Sequence, residues 1–403
     1  MAIDKQQFSI ELPNGTTVRP VDGSTTLDEA WSPFVQASTT IALPASLVPF
    51  DVRSTPAPRV LITAQQDFTD ADEVSAFTAL FGAGTVAGLT AAYGGGTVAD
   101  ITAAHNRPWT PGETRRQVLR TFDLTLRSRS RGAGNTLVLE LASDEALLQD
   151  FAPVMGAPYN DEGPIGGGVV PATSLSDVVR TVVSAVLTDA TFADFTIDGD
   201  VSAFVSGPWS PGPTPYGIPW DAGVSAWDLL APMVEAAGAR LWCDESRKWH
   251  LDPAGPDSAV SVAITATGTM TDYTDEISRD ADWGDAVVVR YSWTTRAGVQ
   301  SMSTDYAIPP YPVNWSRTVV FDRPLGTQAN SFVPPTGAAA ALLAQISVLG
   351  RQLPLAAVND FTTTPGASLT ATLPDGTVLT GRVASVAWNF GSRQMRLSTR
   401  NMS

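Results

Sequence analysis

Cysteine is nearly absent from this sequence: Cys243 is the only one among 403 residues. That excludes an internal disulfide framework and any zinc cluster built on several thiolates. Histidine is almost as scarce. His105 and His250 lie far apart, with no second histidine at helical spacing from either, so a His-rich metal site is excluded as well. Charge is sparse and one-sided: charged residues make up 16%, acids outnumber bases 41 to 25, and the net charge is −16. The only lysines are Lys5 and Lys248. Such a polyanion is a poor binder of duplex DNA, because neutralising phosphates takes a dense basic surface. The opening Met1-Ala-Ile-Asp-Lys-Gln-Gln is polar and no small-residue cleavage site follows, so no signal peptide is expected. The sequons at Asn14, Asn314 and Asn401 then carry no weight. One uncharged stretch, Val74 to Ala99, holds six glycines, each weakening a helix by about 1 kcal/mol, and no Lys or Arg anchors its ends. It reads as a short helix followed by an apolar loop rather than a membrane span.

Signatures of catalysis are missing too. No Gly-x-Ser-x-Gly elbow and no P-loop occurs, and two histidines do not assemble a Ser/His/Asp set. Gly82-Ala-Gly-Thr-Val-Ala-Gly88 has the wrong spacing for a dinucleotide fingerprint and follows a helix pattern, not a strand.

What is present is a 43% hydrophobic chain with 33 Gly and 30 Pro, long enough for two to four domains with real cores. Phe8–Leu12 alternates, Pro13-Asn14-Gly15 turns, and Thr16–Val18 resumes. Thr39–Leu43 and Arg59–Ala64 are further extended runs, and Asp70 with Glu73 opens a helix reaching Phe81. Phe122, Leu124 and Leu126 pair across Gly132-Ala-Gly-Asn135 with Leu137, Leu139 and Leu141, and Ser143 caps a helix from Asp144 to Phe151. A Gly/Pro loop over 153–173 marks a boundary. Capping boxes at Ser174/Asp177 and Ser225/Asp228 start two helices, the second stopped by Gly238, and Arg240–Asp244 with Lys248–Asp252 forms a hairpin. Strands return at Val260–Ala266, Ala286–Trp293 and Gln300–Asp305, followed by a helix at Ala338–Leu349. A closing meander places Ala384, Val386, Trp388 and Phe390 on one face. Leu12-Pro-Asn-Gly-Thr16 and Leu373-Pro-Asp-Gly-Thr377 are nearly the same turn, for which chance and duplication are equally good explanations. The expected fold is mainly β with α+β insertions. Two barrel-like β domains, residues 1–152 (with a helical, Gly-rich insertion near 70–110) and residues 260–403, flank an α+β middle at 153–259.

Three clusters could carry function. Asp272, Asp275, Glu276, Asp280, Asp282 and Asp285, with Arg279 the only base among them, suggest either a calcium site or a solvated acidic face, and the spacing is not that of an EF-hand. Arg107, Arg115, Arg116, Arg120, Arg127, Arg129 and Arg131 suggest either a docking surface for an acidic partner or a solvated strand face. Trp209, Tyr216 and Trp220, in a proline-rich loop, could stack on sugar rings or clamp the loop onto its own domain. Paired carboxylates alone leave an acid-type glycosidase open.

Arg120-Thr-Phe-Asp-Leu-Thr-Leu-Arg127 with Leu137–Leu148, Ser225–Ala231 with Ala236–Trp242 and Trp249–Pro253, and Gly381–Phe390 with Met395–Arg400 resemble tail-tip, or baseplate hub, proteins of long-tailed bacteriophages. These are often called minor tail proteins in phages of actinobacteria. The resemblance implies a structural, non-enzymatic virion protein, made in the host cytoplasm, with no catalytic residues, cofactor or metal. It implies three copies in a ring that caps the tail tube, each giving two barrel-like domains so that six surround the axis. The partners it implies are the tail tube and distal tail proteins, the tape measure protein, other tail-tip or host-binding proteins, and DNA only in transit. An acidic channel would repel passing DNA. The chain ends after the closing strands, so any cell-wall hydrolase would belong to another protein. A receptor- or carbohydrate-binding minor tail protein at the tail periphery is the alternative, and a hub from a gene-transfer particle would look the same.

Overall fold

A computed structural model describes residues 2–43, 50–69, 114–132, 135–154, 169–171, 174–195, 197–199, 201, 217–253, 258–277, 283–295, 297–310, 314–328, 333–334, 336–347, 351–392 and 394–402. The Val74–Ala99 stretch, the helix from Asp70 and most of the proline loop lie outside these residues. No helix among the described residues is long and apolar enough to cross a membrane.

Strict alternation builds the N-terminal limb. β1 (Ala2–Glu11) buries Phe8 and Ile10, and the Pro13-Asn14-Gly15 turn sends the chain back as β2 (Thr17–Val18) and β3 (Pro20–Asp28). β4 (Val35–Ala42), β5 (Arg59–Thr69), β6 (Thr114–Gly132) and β7 (Thr136–Ala142) follow. Alternate side chains along them are mostly apolar and buried, as in Val60, Ile62 and Ala64 or Leu137, Leu139 and Leu141, with Thr39, Gln66 and Arg120 as buried polar exceptions. Helix α1 (Glu145–Asp150) closes the limb with Asp144 as its N-cap. Ser143, the cap expected from sequence, is used elsewhere: its hydroxyl accepts the Val35 N–H at 3.0 Å.

The middle region contains β8 (Val169–Pro171), α2 (Leu175–Val186), β9 (Thr191–Phe192), β10 (Gly217–Pro219), α3 (Ala226–Ala236), β11 (Ala239–Cys243) and β12 (Lys248–Pro253). Both expected caps form. Ser174 accepts from the Asp177 N–H at 3.3 Å and Ser225 from the Asp228 N–H at 3.0 Å. Gly238, at φ +66°, ends α3 in the left-handed region that favours glycine. Val178, Val179, Val182 and Val183 of α2 share a core with Leu230 and Met233 of α3 and with Trp220, Trp249 and Leu251.

The last third begins with β13 (Ser261–Thr265), β14 (Met270–Tyr273) and β15 (Glu276–Ile277). A small unit follows, in which β16 (Ala286–Thr295) lies between antiparallel β17 (Gln300–Ala307) and parallel β18 (Thr318–Gln328). Helix α4 (Ala338–Ile346) covers one face of this sheet. β19 (Arg351–Gln352), β20 (Leu355–Val358), β21 (Ser368–Thr372), β22 (Val378–Asn389) and β23 (Gln394–Arg400) complete the chain. A bulge between Val383 and Ser385 moves the inner face of β22 from the expected Ala384 to Val383, which is fully buried together with Val386 and Trp388.

Both ends of the chain enter one 13-stranded, mainly antiparallel sheet. Its order is β14-β20-β23-β22-β3-β4-β7-β6-β5-β1-β2, with β21 on β22 and β13 on β21. The expected barrel-like domains are not closed among the described residues, because this ladder keeps three ends, β14, β13 and β2. Packing nevertheless draws both limbs onto one core: Phe8 lies 5.3 Å from Phe361 and 4.3 Å from Phe390, and Phe122 lies 5.9 Å from Trp388.

The seam between the limbs, β3 against β22, is symmetric about its own midpoint. The two Leu-Pro-Asx-Gly-Thr turns have the same hydrogen bonds: Leu12 N–H to Thr16 O at 2.9 Å and Leu373 N–H to Thr377 O at 2.8 Å. Asn14 and Asp375 accept the following threonine N–H groups at 3.1 and 2.9 Å. Aligning Leu12 with Leu373 puts Ser24 on Ser385, Thr26 on Ala387 and Asp28 on Asn389. The seam pairs Ser24 with Asn389, Thr26 with Ala387 and Asp28 with Ser385, so equivalent residues meet across a local two-fold axis. The same hairpin thus builds both limbs.

Gly23 sits at the end of this seam with φ +147°, and a Cβ there would collide with the Ser38 carbonyl and lie 2.8 Å from Thr39 Cα. Gly23→Ala is expected to lower stability by about 2 kcal/mol or more, read as a fall in the urea midpoint at unchanged slope.

Candidate functional site

The point where all parts meet is built on two neighbouring carboxylates. Asp144 and Glu145, at the start of α1, are 2% and 0% exposed. Glu145 Oε1 accepts the Phe34 N–H at 3.1 Å, from the segment before β4, and the Cys243 N–H at 2.9 Å, from β11. Asp144 Oδ1 receives Arg59 Nη1 at 2.8 Å and the Thr125 hydroxyl at 2.9 Å, while Oδ2 receives Arg247 Nε at 3.0 Å. Burial pushes the Glu145 carboxyl above its ordinary pKa, against the pull of those N–H donors, and pushes the Cys243 thiol up as well. A buried thiol of that kind is not a nucleophile.

Beside them Arg120, 9% exposed, joins the N-terminal sheet to both other parts. Its guanidinium meets Glu245 at 2.8 Å, donates to the Phe361 and Thr363 carbonyls at 3.1 and 2.6 Å, and lies 4.9 Å from the Trp388 ring centre. Gln66 adds a bond to the Asn359 carbonyl at 2.9 Å.

A cavity of about 560 Å³ opens on the other side of this junction. Its walls come from Trp31 after β3, Trp227 and Val234 of α3, Leu241 of β11, and Ala341 and Leu342 of α4. Four charged residues line it, Glu29, Glu235, Arg240 and Arg400, and Glu235 is held by Arg323 at 2.7 Å. Glu29 Oε1 is 2.5 Å from Arg400 Nε, at the end of β23, and Glu29 Oε2 is buried without a hydrogen-bond partner. Arg240 donates to the Asp28 and Trp31 carbonyls at 3.2 and 2.9 Å and lies 5.5 Å from the Phe34 ring centre. Burial raises the Glu29 carboxyl from its ordinary 4.5 to about 7, opposed by Arg400 and Arg240, and lowers the Arg240 guanidinium to about 10.

Most described members of the clusters nominated from sequence have their own partners. Arg351 holds Asp275 by two bonds of 2.9 and 2.8 Å and lowers its pKa. The backbone N–H of Arg317 and both donors of Ser316 converge on Asp285 and lower its pKa too. Asp272 accepts its neighbour Tyr273's N–H, and Arg279, Asp280 and Asp282 lie outside the described residues. Among the described residues no group of three or more His, Cys, Asp or Glu could hold a metal. The arginine row divides likewise. Arg120 turns inward, Arg127 pairs with Asp150, Arg129 lies 5.3 Å from the Phe50 ring centre, and Arg131 is exposed. Arg107 and the side chains of Arg115 and Arg116 lie outside the description. Trp220 is fully buried with its indole N–H on the Val224 carbonyl at 2.9 Å; Trp209 and Tyr216 lie outside the described residues. His250 stacks on Trp242 with ring centres 4.0 Å apart and meets Asp244 at 2.8 Å, and His105 is not among the described residues.

Sequence reading missed Asp144 and Glu145 as anchors, along with Glu29, Arg240 and Arg400. One signal was available: Arg120 has the same strand parity as Phe122, Leu124 and Leu126, and so belongs on the buried face.

This two-limbed sheet with an α+β region set beside it is similar in fold to two solved tail proteins. Over 98% of its length the chain is similar to the crystal structure of a tail protein from Neisseria meningitidis, with TM-score 0.53, 11% identity and 96% of that chain covered. It is similar over 98% to a 43 kDa tail protein of prophage MuSo2 from Shewanella oneidensis, with TM-score 0.50, 10% identity and 98% of that chain covered. At such identities the likeness is one of fold. No family model and no curated protein matches the sequence.

Two substitutions test the junction. Glu145→Ala leaves two buried N–H groups unpaired and is expected to cost about 3 kcal/mol in chemical denaturation. Glu29 binds its proton near pH 7 when folded and near 4.5 when unfolded, so the stability it contributes is full below pH 4.5 and is lost as pH rises to 7. Glu29→Gln is therefore expected to gain on the wild type between about pH 5 and pH 8, by up to roughly 3 kcal/mol. Thermal melts at the two pH values check this; a pH-independent difference contradicts it.

Proposed function

We propose that the protein is a structural, non-enzymatic tail-tip (baseplate) hub of a long-tailed phage, of the kind found in phages of actinobacteria. Three copies form a ring that caps the tail tube, binds distal tail, tape measure and host-binding proteins, and passes DNA during ejection. In this reading the protein resides in the virion after synthesis in the host cytoplasm. Its parts are residues 1–152, 153–259 and 260–403, with each β limb curled into a barrel-like unit. The observation that carries the reading is the repetition of one hairpin in two limbs about the β3·β22 seam, in a chain with the fold of tail proteins. Two like limbs per chain make six from three copies, the number a six-fold tube requires. Arg19 alone separates β2, paired to β1, from β3, paired to β4, and this supports near-closure of the first limb. The net charge of −16 suits a channel that must not retain DNA.

A peripheral sugar-binding role loses part of its basis, because Trp220 is packed into the core of the middle region and offers no face for stacking.

The copy number and symmetry of the chain in its native particle, imaged by cryo-electron microscopy, test the proposal. Three copies around a channel, each with both limbs facing it, is the expected result. Single copies carried at the particle's edge would overturn the proposal.

A further inference from the structure

Among the described residues, the small unit of β16, β17, β18 and α4 is covered on one face and bare on the other. Val287, Val289, Tyr291 and Trp293 are buried against Ala338, Ala339 and Ile346. On the opposite face Tyr306 of β17, Val288 of β16 and Val320 of β18 stand in register as one apolar row. Tyr306 is 69% exposed, Met302 two pleats away 68%, and Val320 45%.

The edge of this sheet is unguarded as well. β17 is an outermost strand, and its outer side pairs with no strand among the described residues. Sheet edges in soluble proteins are commonly blunted by lysine, proline or outward charge. β17 has none of these over eight residues. Its one charged side chain, Asp305, turns inward to accept the Gly337 and Ala339 N–H groups at 2.9 Å each, at the start of α4. The far edge is different, since β18 carries Asp322, Arg323 and Pro324.

Charge indicates the occupant. Among its described residues the bare face has two ionised groups, Arg290 and Asp322, and they pair with each other at 3.0 Å. It is therefore neutral, on a chain of net charge −16. Copies of so acidic a chain repel one another over most approaches, and a neutral, apolar edge is where they can meet without that cost. Resting on the hub reading above, we propose that β17 and the face around Met302 and Tyr306 form a contact with a second copy of this chain. Three strands of this length present roughly 400 Å², about half of one side of a standard interface. The contact therefore serves in a ring, where each copy is held on two sides, rather than in an isolated pair. Closing a ring of three takes heterologous contacts, so β17 meets a different surface of its neighbour and not its own image.

The test is sedimentation of the purified full chain beside the double variant Met302→Lys/Tyr306→Lys. Both side chains are exposed, so the variant is expected to keep the wild-type circular dichroism and melting temperature. Trimers in the wild type and monomers in the variant, with association weakened 100-fold or more, is the expected result. Equal association of the two, or a wild type that sediments as a monomer at every concentration, overturns the inference. Thr304→Cys gives a second check: a disulfide-linked dimer on oxidation would mean that β17 faces β17, which also overturns it. The hub reading is judged separately by copy number in the particle. Trimers that survive the lysines would leave that reading standing and remove this one.

Discussion

The whole arrangement depends on burying two adjacent carboxylates, Asp144 and Glu145, at the start of a helix of only six residues. Carboxylates without water are costly unless donors surround them, so their burial dictates what must come near. The donors arrive from five places: the segment leading into β4, β5 through Arg59, β6 through the Thr125 hydroxyl, β11 through the Cys243 N–H, and the β11–β12 turn through Arg247. Once that turn is held, Glu245 is in place for Arg120, and Arg120 in turn reaches the carbonyls of Phe361 and Thr363 in the C-terminal limb. The relative placement of three regions thus follows from one short stretch of chain.

Much of the local structure was legible in the sequence, because local rules set it. The capped starts of α2 and α3, the stop at Gly238, the β11–β12 hairpin and the two Asx-Gly turns each depend on residues within a few positions of one another. The joining of the limbs was not. Pro20-Val-Asp-Gly-Ser-Thr-Thr-Leu-Asp28 is polar, with proline and glycine, and it is a strand only because β22 and β4 supply its partners. The bulge in β22 moved the buried face to Val383, which period-two reading places outside. Ser143 has the form of a helix cap, yet Val35 claims its hydroxyl across the sheet. In the candidate site the same division holds. The acidic and basic clusters were visible as runs of like residues, but Glu29, Arg240 and Arg400, which lie along the cavity, are far apart in sequence and meet only after folding.

The acidic character of the chain is used up locally more than its net charge suggests. Asp275 and Asp285 are occupied by Arg351 and by the turn at Ser316, and Asp305 holds the start of α4. What remains is spread over the surface and leaves the face around β17 neutral.

The seam has a consequence for how the protein is made. It joins residues 24–28 to residues 385–389, almost the full length of the chain apart. The strands of the first limb leave the ribosome long before their partner does, and β3 must wait with one edge unfilled until β22 has been synthesised. Pairings of such sequence separation close late and slowly. Completion of the sheet is therefore the last act of folding, and only a full-length chain can offer two finished limbs. A truncated product lacks the strand that completes the first limb as well as the second, so one missing strand leaves both limbs unfinished.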